Sequence, residues 1–176
     1  MRRLYAEQMS VAASQSEHLC VACGICCSGT LFNRAVVYGG EDERLLALGF
    51  SVTEVDGDRV FPLRCVQLSG TLCTVYPDRP LACRTYRCAT LRAFEALDID
   101  RPEADRRVVT TKAAIADLHV TLGDGSIAEL KQQLTAGTPV APELKLQLGI
   151  VELLLGRYFK LPDDHPDSGV TDLARA

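Results

Sequence analysis

The chain has 176 residues, 47% of them apolar, and a net charge of −4. That length and apolar content support a single domain over residues 1–176 with a core of its own, so cross-links need not replace one. An acidic balance with no tryptophan and only 6% aromatics argues against a nucleic-acid partner.

Residues 1–19 are mostly polar with Ala and Ser, and read as a helix or a loose arm. The start is basic but has no apolar core segment, so no secretory signal is expected. No run reaches the length that crosses a bilayer. The greasiest stretch, Leu144 to Phe159, is interrupted by Lys145, Gln147, Glu152 and Arg157. A cytoplasmic location without a membrane partner is the expectation, and thiols there stay reduced unless they are catalytic or bound to metal.

Eight cysteines then crowd one stretch: Cys20, Cys23, Cys26, Cys27, Cys65, Cys73, Cys83 and Cys88. The first four fall within eight residues, and the chain beyond Cys88 has none. Three-residue intervals let a winding loop turn Cys20, Cys23 and Cys26 towards one centre, with Gly24 allowing the sharp backbone. A helix, at about 100° per residue, would instead align Cys20, Cys23 and Cys27 and turn Cys26 away. In either case Cys20 and Cys23 point inward and the Cys26–Cys27 pair is the branch point. Eight thiolates suit two four-cysteine centres, or one centre plus structural thiols. Cys65, Cys73, Cys83 and Cys88 are the natural complement of the first run. Softness admits either zinc or an iron–sulfur cluster, with the three-residue run leaning to iron–sulfur. Arg79, Arg84 and Arg87 lie among the last cysteines and either offset thiolate charge or form ordinary surface ion pairs. His18, close to Cys20, is expected to be a bystander.

Between the cysteines, Leu31-Phe32 and Ala35 to Tyr38 read as a strand, and Glu41 to Leu48 as a short helix capped by Gly49. Asp56-Gly57 marks a tight hairpin between Val52–Val55 and Arg59–Phe61. A second hairpin is expected around Ser69-Gly70. A two-residue loop there puts Cys65 and Cys73 on opposite faces, and a three-residue loop puts them on one. Tyr76 to Pro80 is a turn, and the segment from Leu81 runs into a helix through Leu91, Phe94 and Leu97.

The second half reads as helices. Pro102 opens one with a stripe of Ala104, Val108, Thr111, Ile115 and Leu118, on which His119 is expected to be a packing residue. Ser126 to Glu129 is a capping box. Pro142 opens a last helix with a stripe of Leu144, Leu148, Val151, Leu155 and Tyr158. Leu146, Ile150, Leu153 and Leu154 widen that stripe, so the helix is expected to be well buried. The fold class expected is α+β: a cysteine-rich metal-binding half with short hairpins over 20–88, a helical region over 89–160, and a loose tail over 161–176 holding Asp163, Asp164 and His165. No motif assigns a catalytic residue. A thiol–disulfide role for Cys20 and Cys23 lacks the strand–helix context it needs.

The phrase Cys20-x-x-Cys23-Gly-x-Cys26-Cys27, followed by Cys65, Cys73, Tyr76, Arg79-Pro80, Cys83-Arg84, Tyr86 and Cys88, resembles the YkgJ-type CxxCxxCC cysteine-cluster family of small bacterial zinc- or iron-chelating proteins. The resemblance covers residues 20–88 and implies metal chelation by the eight cysteines, without a known reaction. A similar cluster occurs in the much larger flagellin lysine N-methylases, whose extra part this chain has no room for. Two functions follow as expectations. One is a metal-binding protein with a redox or metal-handling role. The other is a structural zinc module whose helical half meets a protein partner.

Overall fold

The computed structural model describes residues 19–161. The expectations for residues 1–18, His18 among them, and for residues 162–176 with Asp163, Asp164 and His165, lie outside the described residues. The described chain is α+β, with short antiparallel strands in its first half and helices in its second.

Residues 19–23 are helical (α1), and the helix stops at Gly24, whose φ is +70°. A Cβ there would stand 3.2 Å from the backbone of Thr71, so a side chain is disfavoured by the backbone conformation and crowded by Thr71. The amide of Ser28 then donates to the Gly24 carbonyl at 3.0 Å, winding residues 25–29 into turns. The first strand, β1 (Arg34–Val36), is shorter than expected. Leu31 is drawn into the main core instead of a strand pair, and Phe32 packs edge-on against Tyr86 at 5.1 Å.

After helix α2 (Asp42–Ala47), strands β2 (Thr53–Val55) and β3 (Asp58–Pro62) form the expected hairpin. Val55 pairs with Asp58 across Asp56-Gly57, both at positive φ, as a type I′ turn requires. The sheet order is β1-β3-β2, with Ala35 opposite Phe61. The second hairpin, β4 (Leu68–Ser69) with β5 (Leu72–Cys73), follows neither expected register. Ser69 pairs with Leu72 and Leu68 with Cys73, so the loop is Gly70-Thr71. Cys65 lies outside the ladder altogether, because the Leu68 amide donates back to its carbonyl at 3.1 Å and folds residues 65–68 into a turn.

A 3₁₀ turn at Tyr76–Asp78 leads to α3 (Leu81–Thr85). The expected single helix is two, since Tyr86 is extended and α4 (Ala89–Glu95) starts afresh with Cys88 as its N-cap. Helix α5 (Arg101–Leu122) is capped by Asp100, whose side chain accepts from the Glu103 amide at 2.9 Å. It buries Ala104, Val108, Thr111 and Leu118 as the spacing predicts. The Thr111 hydroxyl donates to the Arg107 carbonyl at 2.8 Å, which makes a threonine tolerable there. The capping box of Ser126 and Glu129 opens α6 (Ile127–Thr135). Pro142 opens α7 (Pro142–Tyr158), which packs along α5. Helix α7 buries Leu148, Val151 and Leu155, but Leu146, Ile150 and Leu153 are exposed, at 66%, 46% and 66%. The expectation of a well-buried helix is therefore corrected: α7 presents one face to α5 and a second apolar face outward. No helix among the described residues is long and apolar enough to cross a membrane.

Two apolar clusters result. The larger joins Leu19, Ile25 and Leu31 to α4, α5, α6 and α7, and Cys23, Cys26 and Cys88 pack against it. The smaller gathers Ala35, Val37, Leu45, Phe50, Phe61 and Ala82. It contains Cys65, with Cys27 and Cys83 against its edge.

Candidate metal centre

All eight cysteines are free thiols in the described chain. They fall into two neighbourhoods that interleave the first run with the later cysteines. Cys26 feels the charges of Cys88, Cys23 and Cys20 before that of Cys27, and Cys23 feels Cys88 and Cys20. Cys83 feels Cys27, Cys65 and Cys73, and Cys27 feels Cys65 first among the thiols. Cys23, Cys26 and Cys88 thus fall together, as do Cys27, Cys65, Cys73 and Cys83, with Cys20 near both. Cys73 is among the neighbours of Cys20.

Local structure explains each placement. Cys20 and Cys23 lie one helical turn apart on α1, and the break at Gly24 swings Cys26 to the same side. The next residue, Cys27, passes to the other group because its carbonyl accepts the Cys65 amide at 2.8 Å. The Cys88 sulfur accepts the Leu91 amide at 3.4 Å, which fixes its direction at the head of α4. Cys83 rides on α3, whose first amide, that of Leu81, is held from afar. Both oxygens of the Glu41 carboxylate accept it, each at 3.1 Å. The Tyr86 hydroxyl donates to the Phe159 carbonyl at 3.0 Å and the Ala89 amide donates to the same oxygen at 3.3 Å, so the end of α7 closes over the first group.

Each group borders a small cavity. One of about 50 Å³ is lined by Cys20, Cys23, Cys26, Cys27 and Cys88 with Leu19, Leu91 and Phe159. The other, about 90 Å³, is lined by Cys20, Cys26, Cys27, Cys65, Cys73 and Cys83 with Phe50, Arg79 and Tyr86. Among the described residues no three Cys, His, Asp or Glu side chains are already gathered as the ligands of one ion.

Burial sets the protonation of these thiols. Desolvation pushes Cys23 and Cys27 up to about 12 and Cys88 to about 11, and it also raises Cys20, Cys26, Cys65 and Cys83. The Leu91 amide pulls Cys88 part of the way back. Burial, then the nearby Cys26 and Cys88, also raises the Tyr86 hydroxyl.

The three arginines separate. Arg79 lies close enough to lower Cys20, Cys27 and Cys83. Its guanidinium sits 3.9 Å over the Tyr76 ring and donates to the Tyr76 carbonyl at 2.8 Å. The Arg79 Nε is buried and makes no hydrogen bond among the described residues. Arg87 faces Glu95 at 3.4 Å and also reaches Cys20. Arg84 is exposed and points to Glu41. His119 is exposed rather than packed, which corrects its expected place.

These features define a small α+β chain with two thiol-lined cavities. Residues 19–103 match the model of the CxxCxxCC family, described as "Putative zinc- or iron-chelating domain", and the chain is similar to that family over this segment. No curated protein and no solved structure matches the chain.

Proposed function

We propose that the eight cysteines hold two metal centres, Cys20, Cys23, Cys26 and Cys88 around one and Cys27, Cys65, Cys73 and Cys83 around the other. The observation that carries this is that Cys23, Cys26 and Cys88 pack against one apolar cluster and Cys27, Cys65 and Cys83 against the other, beside two adjoining cavities whose shared wall includes Cys20, Cys26 and Cys27. The donor set fits the group it would take. Free thiols suit zinc and iron–sulfur clusters alike, and the buried Nε of Arg79, without a hydrogen-bond partner among the described residues, suits a cavity that gains negative charge.

Iron–sulfur is the reading we favour. Cavities of about 50 and 90 Å³ exceed the space of one water-sized sphere several times, more than a single tetrahedral ion fills. Such a cluster would supply one-electron transfer, in keeping with a redox or metal-handling role in a reducing compartment such as the cytosol.

A second reading is a structural zinc module whose helical half meets a protein partner. The exposed Leu146, Ile150 and Leu153 on α7 favour it. Anaerobic purification followed by an ultraviolet–visible spectrum and metal and sulfide analysis separates the two. Iron with acid-labile sulfide supports the first, and colourless protein with stoichiometric zinc supports the second. Folded protein with no metal and eight titratable thiols overturns both.

A further inference from the structure

A third, wider cavity lies on the far side of Cys23. This cleft, about 520 Å³, runs between the turns after α1, the Leu63–Arg64 segment, one side of α5 and the start of α6. Of the eight cysteines only Cys23 lines it, so the first thiol group has an open side and the second does not share it.

The charge of the cleft departs from that of the chain. The chain carries −4, yet Arg64, Lys112 and His119 line the cleft and no Asp or Glu does. Arg64 and His119 are exposed, and their side chains make no hydrogen bond or ion pair among the described residues. Lys112 donates to the Ala22 carbonyl at 3.2 Å, which holds its ammonium beside α1 and leaves further donors free. Two cations, Arg64 and Lys112, beside the hydrogen-bonding imidazole of His119 and with no carboxylate in the lining, favour an anion, and Ile115 and Ile127 in the same lining favour an apolar body.

We propose that this cleft binds a small organic anion beside Cys23, its phosphate or carboxylate head between Arg64, Lys112 and His119 and its apolar body against Ile115 and Ile127. Binding as such stands without the metal. The role of the anion as a substrate or ligand of the first centre rests on the metal reading above.

The test titrates the full chain, labelled at isoleucine methyls, with phenyl phosphate and separately with benzoate, using benzyl alcohol as the neutral control. Saturable shifts at Ile115 and Ile127 are expected with at least one anion, and whichever binds names the head group. Benzyl alcohol should bind about tenfold more weakly. The double variant Arg64→Gln/Lys112→Gln should weaken the anion about fivefold or more at unchanged melting temperature. If the double variant does not fold, Arg64→Gln alone decides, since its side chain is exposed and unpaired. No saturable shift with either anion, equal binding of benzyl alcohol, or unchanged affinity in the variant overturns the proposal. Protein that proves free of metal leaves the titration readable, so failure of the metal reading is told apart from failure of this one.

Discussion

The amide of Cys65 donates to the carbonyl of Cys27 at 2.8 Å. This main-chain bond joins the end of the first cysteine run to the turn that opens the second hairpin. It also separates Cys27 from Cys26, its neighbour in sequence, and carries it to the other thiol group. Because the bond is between backbone atoms, replacing either side chain leaves it in place. Side-chain substitutions can therefore be read as effects on the thiols rather than on the frame.

The two groups should respond separately. Cys88→Ser removes a thiol from the first and Cys73→Ser from the second. Each variant is expected to keep about half of the bound metal, and the double variant almost none. Metal analysis of anaerobically purified protein, with circular dichroism to follow folding, checks this. Complete loss of metal in either single variant would show one shared centre instead of two.

Gly29 tests the frame itself. Its φ is +84°, and a Cβ would stand 2.9 Å from both the Leu63 carbonyl oxygen and the Arg64 nitrogen. Backbone strain and a backbone clash add, so Gly29→Ala should cost about 2–4 kcal/mol. Gly149 lies within α7 with nothing within 4 Å of its would-be Cβ. Gly149→Ala should stabilise the chain by about 0.5–1 kcal/mol through helix propensity. Urea unfolding of the two variants should therefore move in opposite directions.

What could be read from the sequence was what neighbouring residues decide. Asp56-Gly57 specifies its hairpin, Ser126 and Glu129 cap α6, and the Ala104–Leu118 stripe names the buried face of α5 without help from elsewhere. The assignment of Cys26 and Cys27 to different groups was not readable, because it depends on a bond to Cys65. Only the branch at that pair was visible. The hairpin before Val75 slid by one residue for the same reason: the Cys65–Leu68 turn takes up chain that a continuous strand would have used. The break between α3 and α4 follows from Tyr86, which extends to reach the Phe159 carbonyl, a contact across most of the chain. On α7 the composition misled. Apolar residues almost all round a helix do not say which face finds a neighbour. The cleft residues gave no signal, since Arg64, Lys112 and His119 are scattered in sequence and meet only when α5 and the segment after β3 both border the turns that follow α1.

The two faces of α7 should differ sharply in cost. Leu155 is fully buried against the main core, whereas Leu153, two residues earlier, is 66% exposed. Leu155→Ala is expected to lose about 2–5 kcal/mol through transfer and cavity terms. Leu153→Ala should stay within about 0.5 kcal/mol of the parent. Chemical denaturation decides it. A large loss at Leu153 in the isolated chain would mean that its face is covered in solution, which sedimentation would then resolve as self-association.

The thiols set a pH dependence whose sign reverses with metal. In the metal-free chain Cys23 and Cys27 are held up to about 12 and Cys88 to about 11, by burial first, against an ordinary value of 9.0. Between those limits the folded chain keeps protons that the unfolded chain releases. The folded state then binds more protons, so the stability these thiols contribute is complete below about pH 9 and is lost as pH rises towards 12. The urea midpoint of metal-free protein should be flat, as far as these groups are concerned, from pH 7 to 8.5 and fall above it. Metal binding runs the other way, because each thiol must lose its proton to become a ligand. Zinc added to metal-free protein at pH 7 in weak buffer should release about four protons per ion, and its affinity should rise with pH. Release of fewer than about two protons per ion would mean that the buried thiols are not the ligands.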